Sequence, residues 1–204
     1  MIRQPKYKVC RRLGDRIFAK CQTPKYAVRA ARKAGNVKRG RGRNRSDYGT
    51  QLLEKQKVRF TYGLSERQFR NYVKYAREKG GQNASLMLST LVERRLDNTV
   101  FRLGLVNSRP FGRQVVSHGH VRVNGRKINI PSYQVKIGDV ISIREGSANN
   151  AIFTAARERG DGKDAPRWLS ADAKTLEGKV IALPGEEDII DGLNYAVVVE
   201  FYSR

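Results

Sequence analysis

The sequence predicts an α+β protein in three parts. A basic, extended N-terminal arm covers residues 1–46 and a small all-helical domain covers 47–93. An α+β domain covers 94–204, with its core in 94–145 and a mainly antiparallel sheet of about five strands. Three observations predict this: cations crowd towards the N-terminus, capped segments with a hydrophobic period near 3.6 begin at Ser46, and after His118 the period changes to two. The 204 residues, 39% of them hydrophobic, suffice for one or two cores at roughly 150 residues per domain.

The arm is defined by charge. The chain carries 41 Lys and Arg against 19 acids, a formal net charge of +22. Residues 1–46 hold sixteen of those cations and one acid, Asp15, whereas 146–204 is net −3. Self-repulsion of this size opposes compaction and calls for a polyanionic partner facing the first three quarters of the chain. A membrane surface would need an amphipathic helix with aromatic residues on one face. The arm shows none, and the one tryptophan, Trp168, lies in the acidic quarter. Nucleic acid is the better fit. The run Lys38-Arg39-Gly40-Arg41-Gly42-Arg43-Asn44-Arg45 alternates Arg with Gly and does not hold a helix, since each Gly costs about 1 kcal/mol there relative to Ala. It reads as a segment that folds against phosphates, with a solvated linker as the plain alternative. Within the arm, Thr23-Pro24 opens a short helix that Gly35 ends, and Val9 to Ala19 is a weaker helical candidate.

From Ser46 the signals are those of packed helices. Ser46 caps a helix running to about Tyr62 and closed by Gly63. Ser65 and Gln68 have the spacing of a capping box, with Leu64 and Phe69 as a hydrophobic staple. Phe69, Tyr72, Val73 and Ala76 form the apolar stripe, and Gly80-Gly81 ends the helix. A third helix begins near Asn83 and turns Leu88, Leu91 and Val92 inward.

Thr99 to Leu103 is a short helix, and Ser108 caps another through about Ser117. His120-Val121-Arg122-Val123 then alternates, and Asn124-Gly125 is the strongest short hairpin signal, because a type I′ turn needs two residues tolerant of positive φ. Arg126 to Ile130 runs back until Pro131. Val140 to Arg144 supplies the next strand, Ala148 to Arg159 a helix, and Lys179 to Leu183 and Tyr195 to Tyr202 two further strands.

The segment from Ser108 to Ile130 carries the sharpest functional pattern. Arg109, Arg113, His118, His120, Arg122, Asn124, Arg126 and Lys127 fall together without an acid. His120, Arg122 and Asn124 share one face of the hairpin while the valines line the other. A rigid platform holding cations at fixed spacing suits phosphates of folded RNA, where shape and backbone dominate recognition. An ordinary solvated face is the alternative. Lys55, Lys57, Arg59, Arg67 and Arg70 are the matching candidates on the helical domain, and Arg39, Arg41, Arg43 and Arg45 on the arm; Tyr133 lies near the hairpin set.

Arg95-Leu96-Asp97-Asn98, Arg113 through Gly125, Ile130-Pro131-Ser132-Tyr133 and Gly138-Asp139 resemble the S-four RNA-binding domain. Glu54 through Arg59, Tyr62 through Asn71 and the ending Val199 through Arg204 resemble the small-subunit ribosomal S-four family. The likeness covers about residues 46–204, and the arm matches loosely. It implies a structural constituent of the small ribosomal subunit that binds small-subunit rRNA directly, nucleates assembly of the body and contributes to translational accuracy. It also implies contact with ribosomal protein five and with messenger RNA where it enters the subunit. The location it implies is the ribosome of the cytoplasm, or of the plastid stroma if organellar. The start of the sequence lacks a secretory signal, so the chain is expected to stay where it is made.

Many members of that family carry four N-terminal cysteines that bind zinc. Here Cys10 and Cys21 remain, with Tyr7 and Tyr26 where partners would stand, so no metal or other cofactor is expected. The arm also lacks the family's Pro-Gly-Gln-His-Gly stretch. His118 and His120 have no third histidine to complete a metal site. The acidic stretch Glu186-Glu187-Asp188 with Asp191 is either a solvated loop or a docking edge for a basic neighbour. No enzyme is expected: S-four domains accompany pseudouridine synthases, but no residues remain for a catalytic domain, and no phosphate-cradling Gly-rich motif occurs. A free RNA-binding regulator would be shorter and lack the helical domain. Neither a membrane nor a small-molecule substrate is expected.

Overall fold

The structure is a computed structural model that describes residues 5–35, 46–148, 150, 153–154, 157, 165–172 and 175–203. The chain divides into two compact units, residues 1–85 with 192–204, and residues 86–191. This division differs from the expected three segments, because the last thirteen residues group with the first unit and the break falls in the first turn of a helix.

In the first unit, α1 (Lys6–Leu13) is followed by a 3-10 turn at Ala19–Cys21 and by α2 (Pro24–Gly35). The helix expected over Val9 to Ala19 is thus shorter and earlier; Gly14, at φ 75°, ends it. α3 (Asp47–Thr61) is capped by Ser46, whose hydroxyl accepts from Gly49 N at 3.3 Å. α4 (Glu66–Gly80) is capped by Ser65, which accepts from Gln68 N at 3.2 Å. The box is half made, because the Gln68 amide takes the Ser65 hydroxyl (3.4 Å). Leu64, Phe69, Val73 and Ala76 are fully buried.

The final segment corrects the sequence reading. Tyr195 to Tyr202, with its β-branched run, was expected as a strand and forms a helix over Tyr195–Phe201. Asn194 caps it by accepting from Val197 N at 3.1 Å, and it packs against α3. Tyr62 and Tyr195 share a hydroxyl hydrogen bond of 2.8 Å, and Phe201 meets Tyr48 with ring centroids 5.4 Å apart. Tertiary burial overrides an intrinsic strand preference that is weak and context-dependent.

The second unit begins with most of α5 (Ala84–Glu93), then α6 (Leu96–Arg102), α7 (Arg109–Ser117) and one antiparallel sheet. The sheet runs β2-β1-β3-β5-β4, with β1 (Val121–Val123), β2 (Arg126–Lys127), β3 (Val140–Ile143), β4 (Leu169–Asp172) and β5 (Glu177–Val180). Five strands are present as expected, although β4 takes the place of the misread C-terminal segment. A short helix, α8 (Glu145–Ala148), follows β3; Phe153 and Thr154 are helical, while most of 149–164 lies outside the described residues. The helix at Tyr195–Phe201 is α9.

The hairpin turn forms as its dipeptide requires, with Asn124 at φ 51° and Gly125 at φ 78°. Register follows the pleat: Val121, Val123, Ile141 and Ile143 are buried, Arg122 pairs with Ser142, and Val121 pairs with Ile143. These residues join Leu96, Val100, Val115, Val116, Trp168 and Val180 in the core. That core is the floor on which the hairpin's outer face stands.

Candidate nucleic-acid interface

The site is built from α6 outward. Asp97 and Asn98 open that helix at 4% and 2% exposure, and Arg95 just before it is 1% exposed. Arg95 donates to both Asp97 oxygens, through Nε at 3.0 Å and Nη2 at 2.7 Å. Glu93 accepts from Arg102 through Nε at 3.0 Å and Nη2 at 2.8 Å, and from Asn98 Nδ2 at 2.7 Å. Charges this deep persist only when paired and hydrogen-bonded.

α7 lies so close to this lattice that a side chain at Gly112 would collide with the Asp97 carbonyl oxygen. The approach sets the two arginines on either side of Gly112. Arg113 Nε reaches Asp97 Oδ2 at 2.9 Å, and Arg109 Nε reaches Asn98 Oδ1 at 2.7 Å. Arg109 also lies over the Phe101 ring, 4.6 Å from its centroid. Both were expected as phosphate contacts. Each is half-buried and already held by the protein, which fixes its direction and spends part of its hydrogen-bonding capacity.

The outward basic side chains stand on the hairpin and on the ends of α7 and β3 beside it. His118, Arg126, Lys127 and Arg144 are exposed. His120 sits among them, its Nδ1 2.9 Å from Ser147 Oγ and its carbonyl accepting from Arg144 N at 2.8 Å. Burial, then the charges of His118, Arg144 and Lys127, hold the His120 imidazole below its ordinary range. Arg122 projects from the same face as Ser142 but pairs with Glu145 at 3.1 Å.

Asn124 already has partners within the protein. Its amide donates to Asp139 Oδ1 at 2.8 Å and accepts from Val140 N at 2.8 Å, so the side chain ties the hairpin turn to β3. Tyr133 is half-buried against the core, and its carbonyl accepts from Leu96 N at 2.9 Å. Arg144 was overlooked in the sequence, although period-two alternation from Val140 puts it on the face of Ser142 and Arg122.

The five candidates of the helical domain separate. Lys55 is 7% exposed, its ammonium 2.7 Å from Glu66 and 4.8 Å from the Phe201 ring centroid. Arg59 pairs with the same carboxylate at 3.3 Å, and Lys57 pairs with Glu54 at 2.7 Å. These cations brace the unit; Lys55 in particular is removed from the surface. Arg67 and Arg70 are exposed and have no ion pair among the described residues. Arg39, Arg41, Arg43 and Arg45 lie outside the described residues.

Two family profiles match residues 1–141 between them. The one described as "Ribosomal protein S4/S9 N-terminal domain" matches residues 1–93, and the one described as "S4 domain" matches 94–141. Curated relatives extend the match to nearly the whole length. The small ribosomal subunit protein uS4 of Ruminiclostridium cellulolyticum is 45% identical over 201 residues, covering 97% of this chain and 96% of its own. That of Caldicellulosiruptor bescii is 46% identical and that of Thermus thermophilus 43%, each over 204 residues, covering 98% of this chain and 97% of theirs.

The chain belongs to the ribosomal S4 family.

It is of the bacterial type, and the family is structural and non-enzymatic. Within the family's N-terminal domain, the cysteine pair now has a setting. Cys10 and Cys21 are buried and free. Burial, then a hydrogen bond with Cys10, pushes the Cys21 thiol up to about 12. Tyr7 stacks on Tyr26, with centroids 5.5 Å apart and planes 13° from parallel. Two thiols beside a stacked aromatic pair do not supply the four ligands of a zinc site, and no group of three or more metal-ligating side chains occurs among the described residues. No helix among them is long and apolar enough to cross a membrane.

Proposed function

We propose that the chain is a structural constituent of the small ribosomal subunit that binds small-subunit rRNA directly and early. In this role it nucleates assembly of the body and contributes to decoding accuracy. Its neighbours are other small-subunit proteins, notably protein five, with messenger RNA passing nearby, and it works in the cytoplasm. One observation carries the RNA contact: Arg126 and Lys127 on the hairpin, His118 at the end of α7 and Arg144 just after β3 are all exposed, and none has an ion pair among the described residues. Such a face neutralises phosphates and has no other partner to satisfy it within the described residues. Arg109, Arg113 and Arg122 add contacts at its margin. Arg67 and Arg70 add a second foothold, and the arginines of 39–45 a third. Linked footholds on one RNA raise avidity well beyond each alone.

Filter binding of the purified chain to small-subunit rRNA across a salt series tests the reading. Arg126→Ala with Lys127→Ala removes about two phosphate contacts and should lower the salt slope by about two. An unchanged slope removes the hairpin from the interface. Co-sedimentation separates scaffold from regulator: stoichiometric association with small subunits through a high-salt wash is expected, and substoichiometric, washable binding would favour a regulator.

A further inference from the structure

The paired helices α1 and α2 hold a second aromatic and cationic feature that the hairpin face does not use. A cavity of about 320 Å³ is lined by Tyr7, Arg11, Tyr26, Arg29, Ala30 and Arg32. Sites for small molecules and cofactors begin at about that volume. Tyr26 is 8% exposed and backed by Cys10 and Cys21, so it is a fixed floor. Tyr7 lies parallel on it yet stays 43% exposed. Arg11, Arg29 and Arg32 are exposed, have no ion pair among the described residues, and share the lining with no acid.

We infer that this cavity seats one unstacked nucleotide of the small-subunit rRNA. Its base stacks on Tyr7, and its flanking phosphates are held by Arg11, Arg29 and Arg32. The inference rests on the RNA-binding reading above and assigns it a further, chemically different contact. A flat ring supported from below and planar guanidinium forks around it are the two elements that hold a single-stranded nucleotide. A duplex offers no free base, so the occupant is a bulge, loop or junction residue.

The test uses the full chain and small-subunit rRNA in filter binding at several salt concentrations. Tyr7→Ala should weaken binding about ten-fold, the size of one lost base stack, while Tyr7→Phe, which keeps the ring, should stay within about two-fold. Because Tyr7→Ala also removes a packing partner of Tyr26, the exposed pair Arg29→Ala with Arg32→Ala is measured beside it. Its helix content by circular dichroism should be unchanged and its salt slope lower by about two. An unchanged slope in that double variant, or Tyr7→Phe as weak as Tyr7→Ala, overturns the proposal. Adenosine monophosphate is titrated as a competitor; displacement of the RNA at micromolar concentration would reassign the cavity to a free nucleotide and also overturn it. If Arg126→Ala with Lys127→Ala weakens binding and the Tyr7 and arginine variants do not, this seat alone fails. If wild-type chain ignores the rRNA, the broader reading fails with it.

Discussion

The hairpin face of the second unit and the paired helices of the first are both cationic, but they hold their cations by different means. Around α6 and α7, buried carboxylates aim the arginines: Asp97 takes Arg95 and Arg113, and Glu93 takes Arg102. In α1 and α2 the arginines have no acid partner among the described residues and stand on two clusters of three buried residues each, Val9 with Leu13 and Phe60, and Cys10 with Cys21 and Tyr26. One region has its geometry built in, at the cost of burying charge. The other leaves Arg11, Arg29 and Arg32 without an ion pair among the described residues and has little core to order itself. A ligand with fixed shape suits the first, and a strand that can adapt suits the second.

Breaking the lattice should have the largest effect. Asp97→Asn removes the buried carboxylate that faces both Arg95 and Arg113, and unfolding in urea should show a loss of about 3–5 kcal/mol. A loss under about 1 kcal/mol would mean that Arg95 finds water, and the comparison would lose its first half. Gly112→Ala tests the closeness of α6 and α7 without touching a charge. The added methyl meets the Asp97 carbonyl, and the expected cost is about 1–3 kcal/mol, as for overpacking elsewhere.

A smaller, pH-dependent effect sharpens the contrast within the first unit. Burial opposes ionisation of Glu66, but hydrogen bonds from Lys55 and Tyr202 and the charges of Lys55 and Arg59 outweigh it and lower its carboxyl pKa. A carboxylate depressed in the fold contributes stability above its unfolded value, about 4.3, and loses it as pH falls through the folded value. The urea midpoint should therefore drop with acidification below that point, and Glu66→Gln should flatten this part of the profile. The smallest effect is expected at Arg29→Ala, which should leave the unfolding midpoint in place, since no carboxylate among the described residues pairs with it; a clear shift would show that α2 has its own lattice.

How much of this was legible in the sequence follows the range of each interaction. The Ser65 cap and the Asn124-Gly125 turn are set within four residues, and the pattern gave them correctly. The role of Asn124 beyond its backbone was hidden, because its partner Asp139 lies fifteen positions away. Arg109 and Arg113 read as free cations for the same reason: Asn98 and Asp97 reach them from eleven and sixteen positions upstream. Lys55 looked exposed until Glu66 and Phe201 closed over it. The run Ala196-Val197-Val198-Val199 has strand chemistry, and only its docking on α3 makes it helical. Leu169–Asp172 gave too short an alternation to announce a strand.

The grouping of residues 192–204 with the first unit has a bearing on synthesis. Tyr202 donates to Glu66 and accepts from Arg77, at 2.7 Å each, while α9 covers α3. These partners are translated more than a hundred codons apart. The second unit, continuous from 86 to 191, has all its strands in hand before the first receives its closing helix. The part of the polypeptide that leaves the exit tunnel earliest is thus the part whose assembly is finished last.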